Sequence, residues 1–272
     1  SFLKGCVGGI LNPAAEPHVL DLLPGVVKVD GKGGFQQAAQ EAGFPLLLQK
    51  AKSQGVAMMG VVNTRGMSGA MWWPAEQLAL EGVVSIICCN TPGYVSRGVG
   101  SARRVFGTNP LAFGWPRPGS EPPYVWVQAT SVMARVEIQV AQRDGHPIVE
   151  GAGVDPTGAL STDPAAILAG AQLPFGQHKG ANIAAMIELL SAAMFGTDLA
   201  VDQPAGTEFD VHNRGLFVLA IDASRLEGTG TAAADHGEHL LTALLDGENA
   251  RLPGDRRRAH RRQVTEDGLQ ID

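Results

Sequence analysis

Three observations predict a mixed α/β domain. Apolar runs of strand length, at 56–62 and 83–89, show little polar alternation, as expected of strands covered on both faces. Each run follows a segment with helical patterning. With 272 residues, 44% hydrophobic and 18% charged, the chain can bury a sizeable core.

Residues 1–34 are short apolar stretches cut by Gly and Pro, ending in a strand at 26–29. From Phe35 to about Gln54 the pattern is helical; Pro45 should start a fresh helix or kink the existing one, and Gly55 stops it. After the 56–62 strand, residues 73–81 read as a short helix with Pro74 in its first turn, closed by Gly82. Strands follow at 83–89, 111–114 and 124–128, whereas 136–143 fits a helix or a strand. A helical turn at 165–168 is capped by Thr162 or Asp163. The clearest helix runs over 179–195, with Ile183, Met186, Ile187, Leu190 and Met194 on one apolar stripe and Gly196 at its end. Residues 215–221 read as a buried strand and 236–245 as an amphipathic helix. There is no internal repeat and no long linker.

Composition narrows the function. Net charge is −6, which excludes a general polyanion binder, yet residues 251–262 hold six Arg and one Asp. Such a stretch can grip a phosphate or be a solvated helix face; nucleic-acid binding is disfavoured because no aromatic stacking pattern accompanies it. Cys6, Cys88 and Cys89 make neither a disulfide framework nor a metal-binding spacing, which points to reducing cytosol. No apolar run reaches the ~18 residues of a spanning helix. His236 and His239 stand three apart near Glu238 and read as a solvated helix face rather than a metal site.

Three islands join chain-bending residues to polar groups. Gly176-Gln177-His178-Lys179-Gly180 leads into the long helix, where open N–H groups, the helix dipole and two cationic side chains suit a phosphate or carboxylate. The competing reading is a loop with a solvated Lys. In Phe106-Gly107-Thr108-Asn109-Pro110, Thr108 offers a hydroxyl for a substrate carboxylate, and Pro110 biases Asn109 toward extended backbone; a self-bonded loop is the alternative. Arg251-Leu252-Pro253-Gly254-Asp255-Arg256-Arg257 joins a turn and a candidate helix cap, Asp255, to arginines that can fork a phosphate monoester.

Taken in order, 106–114, Ala129-Thr130-Ser131, 161–164, 170–180 and 251–257 resemble the malate/L-lactate dehydrogenase family of NAD(P)-dependent oxidoreductases, over about residues 26–262. Within it the chain is most similar to reductases of piperideine-2-carboxylate and pyrroline-2-carboxylate. The resemblance implies a non-Rossmann NAD(P)-binding α/β fold, with a mixed, largely antiparallel sheet flanked by helices. It implies a core, residues 1–250, that binds cofactor and substrate, and an Arg-rich helical segment, 251–272, on the cofactor phosphate. NADPH is the expected cofactor, with NADH the alternative. The partners are a small-molecule substrate and a second copy of the chain, in the cytoplasm, with no nucleic acid, membrane or metal.

By position, the resemblance assigns Thr108 to the substrate carboxylate and Gln128, Ala129, His178 and Lys179 to the cofactor. Arg251, Leu252, Pro253, Gly254, Asp255, Arg256 and Arg257 surround its phosphate end. Glu137 stands for the Asp of a charge relay, and Arg135 is a further candidate for the substrate carboxylate. Several family residues are replaced: a His-His or Asn-His pair by Met67-Ser68, an Asp by Val127, His-Gly by Arg135-Val136, and the second Gly of the lysine turn by Gln177. No Ser-His dipeptide supplies the family's proton donor, which the resemblance places ahead of Ser1. The alternatives to an imine reductase are therefore a catalytically degenerate member and a 2-hydroxy- or 2-oxo-acid dehydrogenase.

Overall fold

The structure is a computed structural model that describes residues 2–65, 70–202, 213–226 and 232–269. After α1 (Phe2–Val7) come the hairpin β1 (His18–Leu23) and β2 (Val26–Asp30), then α2 (Gln36–Gln54), β3 (Val56–Thr64), α3 (Trp72–Leu80) and β4 (Val84–Cys89). Short β5 (Val95–Ser96) and β6 (Arg104–Phe106) precede β7 (Leu111–Trp115), β8 (Tyr124–Gln128) and α4 (Arg135–Asp144). The chain continues through β9 (Gly153–Val154), β10 (Leu160–Ser161), α5 (Pro164–Ala169), β11 (Ala171–Gln172) and α6 (His178–Ser191). It closes with β12 (Arg214–Ile221), α7 (Ala232–Leu244) and α8 (Asp255–Asp267).

The main sheet has the order β1-β2-β3-β12-β4-β7-β8. Only the β2–β3 pairing is parallel; the other five are antiparallel. A smaller sheet, β10-β9-β11-β5-β6, lies beside it. This is the mixed, largely antiparallel arrangement expected, and it is not a doubly wound parallel sheet.

Both faces of the main sheet are covered, which explains the unbroken apolar runs. Along β12, Leu216, Val218 and Ala220 enter the core beneath α2 and α3, while Phe217 and Leu219 pack beneath α6. That is the period of two of a strand buried twice over. The helix α2 runs continuously through Pro45. Both Pro45 and Glu41, whose carbonyl loses its partner, stand on the exposed side, where the carbonyl is open to solvent. The nearly buried Lys50 ties α2 to the hairpin, donating to Asp21 Oδ1 at 2.6 Å and the Leu23 carbonyl at 2.9 Å.

Residues 136–143 resolve as helix. Val136, Ile138 and Val140 alternate as a strand would, yet only Ile138 is buried, against Ile148, Ala152 and Ile167. Gly145 ends α4 in the left-handed conformation. Asp163 caps α5, accepting from Ala165 N at 3.0 Å.

The helix α6 departs from its expected stripe. Met186 and Met194 are exposed, and the buried face is Gly180, Ala184, Ile187, Glu188 and Ser191. Small residues let the helix approach β12 closely: a Cβ on Gly215 would strike the Ser191 carbonyl. The α-helix ends at Ser191, and a tighter turn over Ala193–Phe195 leads to Gly196.

Candidate active site

The Thr108 loop, the Ala129-Thr130-Ser131 segment and the lysine turn meet through their backbones. Thr130 N donates to the Thr108 carbonyl at 2.9 Å, and Phe175 N donates to the Thr130 carbonyl at 3.0 Å. Gly180 N returns to the Phe175 carbonyl at 2.9 Å, closing the first turn of α6 onto this ladder. A Cβ on Gly180 would lie 2.8 Å from both Phe175 N and the Thr130 carbonyl, so only glycine fits.

At the head of α6, Gly176 has φ +53° and Gln177 φ 54°, ψ −113°. A non-glycine there costs on the order of 1–3 kcal/mol. The position is one that demands glycine conformationally, whatever side chain it bears. No side chain caps α6, and His178 and Lys179 are exposed beside its electropositive end. Gln128, the last residue of the edge strand β8, is exposed, and Ala129, just past it, is half-buried.

Thr108 is half-buried, its hydroxyl oxygen 3.2 Å from that of Thr91. Asn109 adopts φ 36° rather than the extended backbone expected before Pro110. Its side chain explains the difference: Oδ1 accepts from Thr91 N at 3.0 Å, and Nδ2 donates to Glu188 Oε1 at 2.8 Å and to the Ala184 carbonyl at 3.1 Å. Burial pushes the Glu188 carboxyl above its ordinary pKa, against the hydrogen bonds from Ala200, Asn109, Asn90 and Gly107 that lower it.

Arg135 opens α4 and is half-buried, its guanidinium 4.6 Å from the centre of the Tyr94 ring. Its Nη1 is buried without a hydrogen-bond partner among the described residues. Burial, with Arg104 second, holds its pKa below the usual arginine value. Glu137 is exposed, and its carboxylate accepts from Ala134 N at 2.7 Å at the start of α4.

The arginine segment gathers elsewhere. Arg257 stacks 4.0 Å above the Trp72 ring, and Arg257, Arg258 and Arg261 approach the nearly buried Glu76 at 3.3, 3.7 and 3.6 Å. Arg257 Nε is buried without a partner among the described residues. Gly254, not Asp255, occupies the cap position of α8, with φ +92°. Asp255 is the first helical residue, and its Oδ2 reaches back to Leu252 N at 2.9 Å. Leu252 is buried, whereas Arg251, Pro253 and Arg256 are exposed. Arg258 Nη1 also donates to the Pro123 carbonyl at 3.1 Å, just ahead of β8.

The two cationic regions therefore do not touch; they flank opposite ends of the edge strand β8. Pro123 and Thr130 stand seven positions apart, an extended span of ~23 Å. Glu76, Trp72, Thr91 and Glu188 were not singled out by sequence. Each sits in an ordinary apolar or loop context, and its role depends on a partner distant in the chain. Met67 and Ser68 fall outside the described residues. His236 and His239 are exposed, and the described residues contain no cluster of three metal-ligating side chains.

The chain matches a family model described as malate/L-lactate dehydrogenase over residues 1–272. It is 40% identical to the Delta(1)-pyrroline-2-carboxylate/Delta(1)-piperideine-2-carboxylate reductase of Pseudomonas aeruginosa, covering 99% of this chain and 81% of that protein. Among solved structures, the delta1-piperideine-2-carboxylate reductase of Pseudomonas syringae pv. tomato superimposes with TM-score 0.91 at 35% identity, over 100% of this chain and 81% of that one. The sulfolactate dehydrogenase of Methanocaldococcus jannaschii superimposes with TM-score 0.86 at 27% identity, over 100% and 78%. Together with the non-Rossmann sheet, these likenesses show that the chain is an enzyme of the malate/L-lactate dehydrogenase family of oxidoreductases.

Proposed function

We propose that this protein reduces a cyclic imine 2-carboxylate, of the pyrroline or piperideine type, with NADPH as the preferred reductant. The observation that carries the reading is the pair of anion-ready regions at the two ends of one exposed strand edge. The donors present suit a dinucleotide. His178, Lys179 and the α6 terminus offer charge to its phosphates, while the edge of β8 with Gln128 and Ala129 lies between the two regions. At the far end, Arg251, Leu252, Pro253, Gly254, Asp255, Arg256 and Arg257 form the phosphate corner, where the unpartnered Arg257 Nε suits a 2′-phosphate. Residues 251–272 thus serve as the phosphate-facing segment of a core formed by residues 1–250.

Once bound, such a cofactor supplies the hydride. The protein's part is to orient the ring carbon that bears the carboxylate. Thr108 donates a hydroxyl hydrogen to that carboxylate, and Arg135, with its free buried Nη1, supplies the counter-charge. Arg135 does not act as the acid, because a guanidinium holds its proton too tightly to give it up. Glu137 is assigned to the relay position. A homodimer in the cytoplasm completes the proposal; light scattering after gel filtration tests the dimer. No helix among the described residues is long and apolar enough to cross a membrane.

The experiment is loss of NADPH absorbance on mixing with piperideine-2-carboxylate or pyrroline-2-carboxylate, set against loss with pyruvate and gain of the same absorbance when NADP+ is mixed with malate or lactate. Turnover of the imines alone supports the reading; turnover of the hydroxy or oxo acids alone replaces it. A second reading, a fold kept without turnover, draws on Glu137, whose exposed carboxylate is engaged by its own helix. NADPH binding with no turnover of any of these substrates would favour that reading.

A further inference from the structure

Thr91 lies in the loop between β4 and β5 and is 8% exposed. The 3.2 Å separation of its hydroxyl oxygen from that of Thr108 allows either to donate. A carboxylate can only accept, so Thr108 binds one only by spending its single hydroxyl hydrogen outward. The Thr91–Thr108 bond must then run the other way, from Thr91 to Thr108.

Thr91 is built for that direction. Its oxygen accepts from Asn109 N at 3.3 Å, and its own N–H donates to Asn109 Oδ1 at 3.0 Å. The residue is thereby pinned on both sides, with one hydroxyl hydrogen left to give. Asn109 is held in turn by Glu188, which is 6% exposed and also accepts from Asn90 Nδ2 at 3.4 Å and Ala200 N at 3.0 Å. A Cβ on Gly107 would collide with the Thr91 hydroxyl and with Asn109 Oδ1, so the substrate loop rests directly against this pair.

We propose that Thr91 is a positioning residue. It donates its hydroxyl hydrogen to Thr108 Oγ1 and so commits the Thr108 hydrogen to an anionic oxygen of the substrate. The Glu188–Asn109 pair fixes Thr91 for this task. The inference rests on the reading of Thr108 as the substrate's carboxylate ligand. It adds a residue that touches no substrate itself.

The test is calorimetric titration with pyrrole-2-carboxylate, a planar ring carboxylate that cannot accept hydride at an imine, in the presence of NADPH. Thr108→Val should weaken binding about tenfold, as for one hydrogen bond to a charged group. Thr91→Val should weaken it about three- to tenfold. Thr91→Ser, which keeps the hydroxyl, should restore affinity to within about twofold, and NADPH alone should bind all variants alike. Thr91→Ala carries the same expectation as Thr91→Val where the latter does not fold.

A weakened Thr108→Val beside an unaffected Thr91→Val overturns the proposal alone. Equal weakening of Thr91→Val and Thr91→Ser also overturns it, because packing and not the hydroxyl is then responsible. Wild-type affinity in Thr108→Val, or a wild type that binds no ring carboxylate, overturns the reading of Thr108 beneath it and the proposal with it.

Discussion

At one end of β8 the Thr108, Thr130 and Phe175 segments are joined backbone to backbone; at the other, α8 meets α3 through side chains alone. The first junction is made of carbonyls, N–H groups and glycines too crowded to bear a Cβ. The second is made of three guanidinium groups around Glu76 and a Trp72 ring. Backbone junctions hold their geometry at any ionic strength. Guanidinium clusters adapt, but partly exposed ones are screened over ~8 Å at physiological salt. The difference teaches where precision is needed in the proposed chemistry: at the reacting end rather than at the phosphate end.

Perturbing the backbone junction should have the largest effect. Gly180→Ala forces a Cβ against three backbone atoms and should cost about 2–3 kcal/mol of stability in urea denaturation, with loss of NADPH binding. An unshifted midpoint would show that the first turn of α6 can slide. At the arginine corner, Glu76→Gln removes the shared counter-charge from Arg257, Arg258 and Arg261. It should cost about 1–2 kcal/mol, and the loss should change with added salt. A salt-independent loss would assign the corner to packing.

Gln177→Gly sharpens the comparison from the opposite side. Relieving a non-glycine at φ 54° should raise the denaturation midpoint by about 1 kcal/mol equivalent. A fall in stability would mean that the Gln177 side chain makes contacts worth more than the strain.

The smallest effect concerns pH. Because burial raises the Glu188 pKa in the folded state, the folded protein holds this proton more tightly than the unfolded chain. Its contribution to stability is therefore complete below the unfolded carboxylate pKa and is lost as pH rises through the folded value. Relative to Glu188→Gln, wild-type stability should fall as pH increases from the acid range toward neutrality. A rise over the same interval would show that the hydrogen bonds to Glu188 outweigh its burial.

Much of this molecule was legible in advance because its signals are local. Gly55 and Gly196 end helices in the left-handed conformation that glycine tolerates. The apolar runs at 56–62 and 83–89 became two-faced strands, and Tyr124–Gln128 formed a strand with the expected bounds. Reading failed where a local preference was outbid by a distant partner. Pro110 argued for an extended Asn109, but three hydrogen bonds from its side chain hold φ at 36°. The apolar stripe of α6 was misjudged because Glu188 is satisfied inside by Asn90, Asn109 and Ala200, all outside the helix.

The order of residues alone determined most of the longer elements, the glycines that stop two of the expected helices, and the positions bearing cationic or hydroxyl groups, since those follow from neighbours a few residues apart. Tertiary structure alone decided that Thr91 faces Thr108, that Glu76 gathers three arginines, and that the lysine turn and the arginine corner stand at opposite ends of one strand. Those facts depend on segments separated by tens to hundreds of positions, and only the packed sheet and helices bring them within reach of one another.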